Sequence, residues 1–340
     1  MSTEGGAGPA AVDLTRDGSS VSGRRDAIVR WIFFSCAVVT VLTTFGIVAV
    51  LLNGAVGFFR SATLYELVVS SISTDGLDRA ALRDGLAPQV TVGEYLLGTD
   101  WSPLIRPQSY GVLPLVWGTL LITFGSALIA IPIGTLAAIY LSEYASPGVR
   151  SVLKPTLEVL AGIPTIVYGF FALSFVTPLL QRVWPDTGTF NVAAGAIVVG
   201  IMILPMVSSL SEDAMSAVPD TLREASYGLG ATKFEVSTSV VVPSALSGIV
   251  AAYILAISRA IGETMAVTLA AGMVAQFTTS PFDPIQTMTA YMVQVGISDV
   301  SIGSVGYQSL FAVGLTLFAI TLGMNLVSLW IKSRYQEEYR

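Results

Sequence analysis

The chain alternates long apolar runs with shorter polar stretches. Each run reaches the roughly 20 residues that an α-helix needs to cross a bilayer core about 30 Å thick. The runs lack the alternation of apolar and polar positions that is typical of membrane β-strands. The pattern therefore predicts an all-α integral membrane protein with six transmembrane helices, over residues 31–52, 112–141, 157–180, 190–210, 244–275 and 308–331.

Polar segments between the runs predict the domain organisation. The N-terminal residues are rich in Gly, Ser and Asp and have too few large apolar side chains to form a core. After the first helix, pieces such as "LYELVVSSI" have the pattern of surface helices. The predicted parts are a disordered cytoplasmic tail (1–26), the first transmembrane helix (27–53), an extracytoplasmic segment with short amphipathic helices (54–110), a core of five further transmembrane helices (111–333) with a cytoplasmic loop (211–243) and a polar connector (276–306), and a cytoplasmic C-terminus (334–340).

Composition and charge narrow the function classes. Only 12% of the residues are charged, about half the share in a soluble protein. Histidine is absent and Cys36 is the only cysteine, which excludes His-ligated metal sites, His bases and an intrachain disulfide. Most of the 17 Lys and Arg residues lie in both terminal segments and in the second-to-third and fourth-to-fifth connections. By the positive-inside rule these parts, including both termini, are cytoplasmic.

The loop over residues 211–243 contains helix signals of its own. Pro219 is expected to break the helix that leaves the fourth run, and Asp220 can cap a new short helix. Gly228 and Gly230 predict a tight turn at its end, and a second short helix then runs into Pro243. Two short helices joined by a glycine turn suit a groove on a partner protein.

This stretch, which we name the EAA-like loop (residues 211–243), resembles the EAA loop of ABC-importer permeases. The matching positions are Glu224, Ala225, Ser226, Gly230, Val240, Val242 and Pro243. Ser226 replaces the family's second Ala, and the two Val residues replace Ile and Leu. The resemblance implies docking into a cytoplasmic ATPase subunit through Asp220, Arg223, Glu224, Ala225, Gly228, Gly230 and Lys233.

The chain has no ATPase site of its own. A P-loop needs a Gly directly before its Lys, and none of Lys154, Lys233 and Lys332 is preceded by Gly. ATP and Mg²⁺ are therefore expected in a partner chain, and this chain is expected to be a transport subunit without cofactor or enzyme activity.

Two charges interrupt the fifth apolar run, in "SRAIGETMAV". Arg259 and Glu263 are four residues apart, so a continuous helix would place them on one face. The other members of that face are Ala252, Ala256, Ala266 and Ala270, which predicts that it points into the protein. A charge at mid-bilayer costs about 2.5–3.5 kcal/mol or more.

The pair has two interpretations. It is either a structural ion pair or part of a substrate path, with Ser258 and Thr264 as polar neighbours. An Arg in the path suits phosphate-like anions because its planar fork matches two oxygens. Whether Arg259 pairs with Glu263 or with a residue of another chain stays open.

"RAIGETMAV", "AGIPTIVYG" and "YGVLPLVWGTL" resemble the PstC-type permease subunits of phosphate ABC importers, over roughly residues 95–335. The resemblance implies the type I ABC importer permease fold in a bacterial inner membrane. It also implies a PstA-type permease as heterodimer partner, two ATPase subunits and an extracytoplasmic phosphate-binding protein, with phosphate and lipid as further contacts and no nucleic acid.

Two alternatives remain. One is an ABC permease for another oxyanion, such as sulfate or molybdate. The other is a proton-coupled anion transporter with Glu263 as proton carrier, against which the EAA-like loop argues because such a carrier needs no ATPase.

Overall fold

The structure is a computed structural model that describes residues 19–71 and 90–335, with side chains over 27–59 and 90–330. This part of the chain is helical apart from turns and one isolated antiparallel bridge between Trp101 and Tyr110. The helices are α1 (Ser19–Ser71), α2 (Val92–Leu97), α3 (Leu113–Ile139), α4 (Pro147–Ala161), α5 (Thr165–Phe171), α6 (Thr177–Val183), α7 (Val192–Ser216), α8 (Asp220–Gly228), α9 (Lys233–Val236), α10 (Val242–Ser244), α11 (Leu246–Ile261), α12 (Met265–Ala271), α13 (Met288–Ile297) and α14 (Val305–Tyr335). Three π-helical turns join neighbouring helices, at Tyr140–Tyr144, Ala172–Val176 and Ser237–Val241.

The predicted set of membrane helices is confirmed. Five helical segments are long and apolar enough to span a bilayer: Ala27–Phe59, Leu113–Tyr144, Thr165–Val183, Val192–Ser216 and Val305–Trp330. A sixth is counted when Lys233–Ser244 and Leu246–Ile261, which meet at an angle of 70°, form one span. Helices suit these runs because they satisfy every backbone polar group within the segment.

The chain divides into two units, residues 1–50 and 51–340. In the first unit, α1 has no buried side chain over residues 27–50. Helix α1 includes residues 19–26 and 54–71, so the predictions of a disordered tail up to 26 and of separate surface helices in 64–71 are wrong there. Once an apolar helix has formed, each added residue gains a hydrogen bond at little further cost. The rest of the predicted tail, the polar residues 72–89 and residues 336–340 lie outside the described residues.

Two further predictions of the sequence are corrected. The third span begins at Thr165 rather than 157, because Pro164 disfavours helical backbone at the residue before it. Helix α4 is thereby a separate helix, and none of its side chains is buried. The polar connector 276–306 contains the helix α13, whose N-terminal Thr287 hydroxyl accepts the backbone N–H of Ala290.

The core that positions the candidate site lies in the second unit, where α3 packs along α7. Small residues allow the two backbones to approach closely. A Cβ atom at Gly134 of α3 would lie only 2.7 Å from Val207 Cγ1 of α7. Helix α12 packs against α5, α7 and α13, so the segment after the predicted charged pair is held on three sides.

Candidate functional site

The fifth apolar run is broken at the charged pair. Helix α11 ends at Ile261, Gly262 forms its C-terminal cap, and α12 begins at Met265. Glu263 therefore lies in a non-helical break, and the prediction that it shares a helical face with Arg259 is wrong. Gly262 favours the interruption because glycine is a poor helix former.

Glu263 is buried, with 7% of its surface exposed. Its carboxylate Oε1 accepts the backbone N–H of Ala266 at 3.1 Å, in the first turn of α12. Its carbonyl oxygen accepts a hydrogen bond from the Thr289 hydroxyl of α13 at 2.6 Å. Glu263 thus satisfies a helix N-terminus, which is a favourable place for a negative charge.

Arg259 is exposed on the surface of the chain, on a helix face that also contains the exposed residues Leu255 and Gly262. Among the ion pairs of residues 90–330, none joins Arg259 to Glu263. The Arg259 guanidinium lies within electrostatic range of the Tyr168 hydroxyl in α5. The predicted inward direction is therefore wrong for Arg259.

The alanine face itself is buried as predicted. No alanine of this face is more than 3% exposed; its members are Ala252, Ala256, Ala266 and Ala270. In α11 the fully packed stripe continues through Ala260 rather than Arg259, because alanine fits a close helix contact and an arginine does not.

The two polar neighbours of the pair have different environments. The Ser258 hydroxyl is buried and has no hydrogen-bond partner among the described residues. The Thr264 hydroxyl donates to the Gly262 carbonyl at 3.1 Å, inside the break. An unsatisfied buried hydroxyl is costly, but this one has almost no exposed surface, so a group from outside the chain does not reach it in this conformation.

The EAA-like loop folds into two short helices, as predicted. Helix α8 ends at Gly228, and Gly230 has a φ of +84°, which favours glycine. Glu224, Ala225 and Gly228 are exposed. Asp220 is not the cap, however, because Pro219 occupies the N-cap position and Asp220 is the first helical residue.

Arg223 and Lys233 both contact their own chain. Arg223 Nη2 lies 3.1 Å from Glu143 Oε1, and the Arg223 side chain is 14% exposed. Lys233 Nζ lies 5.0 Å from the centroid of the Tyr144 ring. These two cations therefore position the loop on the π-helical turn Tyr140–Tyr144.

Helix α9 starts with a capping box. The Thr232 hydroxyl accepts the backbone N–H of Glu235, and the Glu235 carboxylate accepts the backbone N–H of Thr232 at 2.7 Å. The hydrogen bond from this N–H, together with one from the Thr232 hydroxyl, lowers the pKa of Glu235.

Sequence reasoning missed two acidic side chains at the ends of apolar runs. Glu212, in α7, is fully buried and forms ion pairs with Arg150 and Lys154 of α4. Glu143, in the π-helical turn, is 5% exposed in its side chain. The sequence contained a signal for these ion pairs, because each of the two acids stands near Lys or Arg residues that the charge distribution assigns to the same side of the membrane.

Comparison with known proteins places the chain among transport permeases. The model of the family described as binding-protein-dependent transport system inner membrane component matches residues 130–337. The probable ABC transporter permease protein YqgH of Bacillus subtilis is 35% identical over 275 residues, which cover 81% of this chain and 88% of the relative.

Relatives named as phosphate permeases are also similar. The phosphate transport system permease protein PstC of Haemophilus influenzae is 35% identical over 268 residues, covering 72% of this chain and 82% of the relative. The phosphate transport system permease protein PstA 1 of Mycobacterium tuberculosis is 30% identical over 290 residues, covering 81% and 92%.

Solved structures show the same fold at low identity. A chain of a bacterial ABC transporter involved in the import of the acidic polysaccharide alginate matches with a TM-score of 0.52 and 15% identity, covering 82% of this chain and 97% of that one. A chain of the inward-facing MetNI methionine ABC transporter matches with a TM-score of 0.52 and 18% identity, covering 66% and 96%. The chain therefore belongs to the family of binding-protein-dependent transport system inner membrane components, as a multi-pass permease subunit with the type I ABC importer permease fold.

Proposed function

We propose that the chain is the PstC-type permease subunit of an ATP-driven importer of inorganic phosphate. Relatives that are 30–35% identical are named phosphate transport system permease proteins. The "RAIGETMAV" segment, on which the sequence resemblance rests, supplies the only charges of the fifth apolar run.

The observation that carries the proposal is the exposure of Arg259 on the surface of a membrane-spanning helix. Arg259 lies about 20 Å along the helix axis from Leu246, so its face is well inside the bilayer. A guanidinium facing lipid at this depth is unfavourable by about 2.5–3.5 kcal/mol or more. The face with Leu255, Arg259 and Gly262 is therefore covered by a second permease chain, with a polar path between the two.

Phosphate fits the chemistry of this face. The Arg259 guanidinium presents two parallel N–H groups to two phosphate oxygens. The Ser258 hydroxyl, one residue away, is enclosed by the chain and does not lie on this exposed face. Glu263 acts mainly by stabilising the non-helical break that follows Arg259, through its hydrogen bond to Ala266. Thr264 belongs to the same break, where its hydroxyl donates to the Gly262 carbonyl.

The EAA-like loop is the proposed docking site of the ATPase. Its tip presents Glu224, Tyr227, Leu229 and Phe234 to solvent, with Leu229 90% and Phe234 66% exposed. Apolar side chains at the tip of a charged loop suit a groove on a partner. In the proposed complex, two ATPase subunits bind and hydrolyse ATP with Mg²⁺, and this chain is the transport subunit.

Membership of the family supports the rest of the assembly that we propose. The covering permease is of the PstA type, and an extracytoplasmic phosphate-binding protein delivers the anion. Both termini are cytoplasmic by the distribution of Lys and Arg. A proton-coupled carrier is disfavoured, because the chain belongs to a binding-protein-dependent family.

Transport in liposomes tests the proposal. The complete complex, with labelled phosphate on the binding-protein side and ATP on the other, is expected to accumulate phosphate, and excess sulfate or molybdate is expected not to compete. Arg259→Gln should abolish uptake while the complex still assembles. Arg182→Gln, at an exposed arginine near the end of α6, is the matched control and should transport normally.

Three outcomes oppose the proposal. Uptake of sulfate or molybdate instead of phosphate would assign a different oxyanion. Uptake driven by a proton gradient without ATP would assign a secondary transporter. Normal phosphate uptake by an assembled Arg259→Gln complex would remove the path role of Arg259.

A further inference from the structure

Both helices of the EAA-like loop contact one short turn of the chain. Helix α8 reaches it through the ion pair of Arg223 with Glu143. Helix α9 reaches it through the Lys233 ammonium over the Tyr144 ring. Glu143 and Tyr144 are adjacent residues of the π-helical turn Tyr140–Tyr144, which continues α3 without interruption.

The ion pair at Glu143 is mostly removed from water, since the Arg223 and Glu143 side chains are 14% and 5% exposed. The Arg223 side chain also donates to the carbonyls of Val218 at 2.5 Å and Met215 at 2.9 Å. One guanidinium thus ties α8 to the end of α7 and to the π-helical turn. Ion pairs with little exposure are screened weakly by salt.

An apolar cluster beneath these polar contacts joins the same elements. It contains Ala138 of α3, Met215 of α7, and Val236 and Val241 from the second half of the EAA-like loop, all buried. Well-packed interiors transmit displacement because they have few voids. The loop and the end of α3 are therefore expected to move together.

The opposite end of α3 contacts the segment that holds Glu263. The Thr119 hydroxyl oxygen accepts the backbone N–H of Met288 at 3.1 Å, at the start of α13. One residue later, the Thr289 hydroxyl donates to the Glu263 carbonyl at 2.6 Å. Residues 113–144 form one continuous helical segment about 48 Å long, with the loop at one end and this contact near the other.

We propose that α3 mechanically couples the EAA-like loop to the break at Glu263. Glu143 and Tyr144 are the positioning residues at the loop end, and Thr119 and Thr289 are the positioning residues at the break end. Movement of the loop on the ATPase displaces α3, and α13 then displaces the backbone of Glu263. The inference rests on the proposed function, since it assigns the route between the proposed ATPase dock and the proposed anion path.

The first experiment measures phosphate transported per ATP hydrolysed by the complete complex in liposomes. Glu143→Gln combined with Tyr144→Leu, and separately Thr119→Val, should lower this ratio by about fivefold or more, the lower end of typical coupling strengths. ATP hydrolysis and co-purification of the ATPase should persist. A purely structural role would instead lower assembly and leave the ratio of the surviving complexes unchanged.

Matched controls lie next to each variant. Tyr144→Phe keeps the ring under Lys233, and Thr119→Ser keeps the acceptor for Met288, so both should retain the normal ratio. Thr123→Val removes a buried hydroxyl one turn away in α3 that bonds only within its own helix, and should also behave normally. Asp213→Asn, which removes a carboxylate of the separate Lys154 cluster, is a further control.

A second measurement needs no phosphate and so separates this inference from the substrate assignment. Spin labels are placed at Leu136→Cys in α3 and Thr221→Cys in α8, in a Cys36→Ser chain within the complete complex. Their distance should be the same without nucleotide and with ATP trapped, and should differ between these states in the Glu143→Gln, Tyr144→Leu variant. A distance that changes with ATP in the otherwise unaltered chain, or an unaltered transport ratio in the variants, would overturn the proposal.

Discussion

The carboxylate of Glu263 accepts a hydrogen bond from the backbone N–H of Ala266, with 3.1 Å between Oε1 and the nitrogen. This contact stabilises the first turn of helix α12, which begins two residues after Glu263, and so favours a break in the apolar run over one continuous helix. It also separates Glu263 from Arg259, four positions earlier in the chain, so that one residue is buried and the other exposed.

The hydrogen bond predicts a difference between two substitutions of Glu263. Glu263→Gln keeps an acceptor oxygen for Ala266, whereas Glu263→Ala leaves the first turn of α12 without one. Loss of a side-chain acceptor at the N-cap of a helix costs about 0.5–2 kcal/mol. A similar cost is expected at Glu263, one residue before the N-cap Thr264, so the alanine variant should denature below the glutamine variant. Thermal denaturation of the purified complex measures this, and equal midpoints would contradict the capping role.

The exposure of Arg259 predicts access to water within the membrane. In a Cys36→Ser chain, Arg259→Cys in the assembled complex should react with a small water-soluble thiol reagent, because the thiolate that reacts needs a hydrated environment. Phe124→Cys is the matched control, since Phe124 is 70% exposed in the apolar span α3 and is expected to face lipid. Equal labelling at both positions would argue against a polar path at Arg259.

The tip of the EAA-like loop predicts where the ATPase binds. Leu229→Asp should weaken ATPase association by about tenfold or more, because it places a charge in an apolar contact of the interface core. Glu224→Gln should weaken it less. Titration of the ATPase against the permease pair measures the affinity, with Ile302→Asp, at an 87% exposed apolar residue remote in sequence from the loop, as the control.

Glu212 predicts a stability effect that its neighbour Asp213 lacks. The Glu212 side chain is fully buried between Arg150 and Lys154, whose side chains are 39% and 26% exposed. Glu212→Ala should destabilise the protein by about 2 kcal/mol, less than a fully buried pair would. Asp213→Asn should cost under about 1 kcal/mol, since Asp213 is an exposed partner. Equal denaturation midpoints for the two variants would contradict this ranking.

The same cluster predicts a dependence on alkaline pH. Desolvation lowers the pKa of Lys154, but the hydrogen bonds to Asp213 and Glu212 outweigh it, so the pKa is raised above 10.5. A raised pKa of a cation stabilises the folded state below the unfolded value and loses this effect as pH rises through the folded value. The stability difference between the parent and Lys154→Met should therefore be constant at neutral pH and shrink above about pH 10.5. A difference that shrinks between pH 7 and 9 would be inconsistent with this assignment.

The sequence by itself determined the membrane class, the set of apolar spans and the glycine turn of the EAA-like loop. These features depend on local rules. An apolar run must form a helix in lipid, and a glycine at positive φ ends a short helix wherever it stands. The residues that carry the resemblance, such as Glu224 and Gly230, are contiguous and therefore readable without a fold.

Only the tertiary structure decided where the charges point. Helical spacing placed Arg259 and Glu263 on one face, but a hydrogen bond to the start of α12 and the contact of α13 with the Glu263 carbonyl outweighed continuation of the helix. Likewise, the sequence placed Arg223 and Lys233 among the docking residues, whereas their partners Glu143 and Tyr144 lie 80 and 89 positions earlier in the chain. Contacts over such separations depend on how helices pack, and no local pattern in the sequence encodes them.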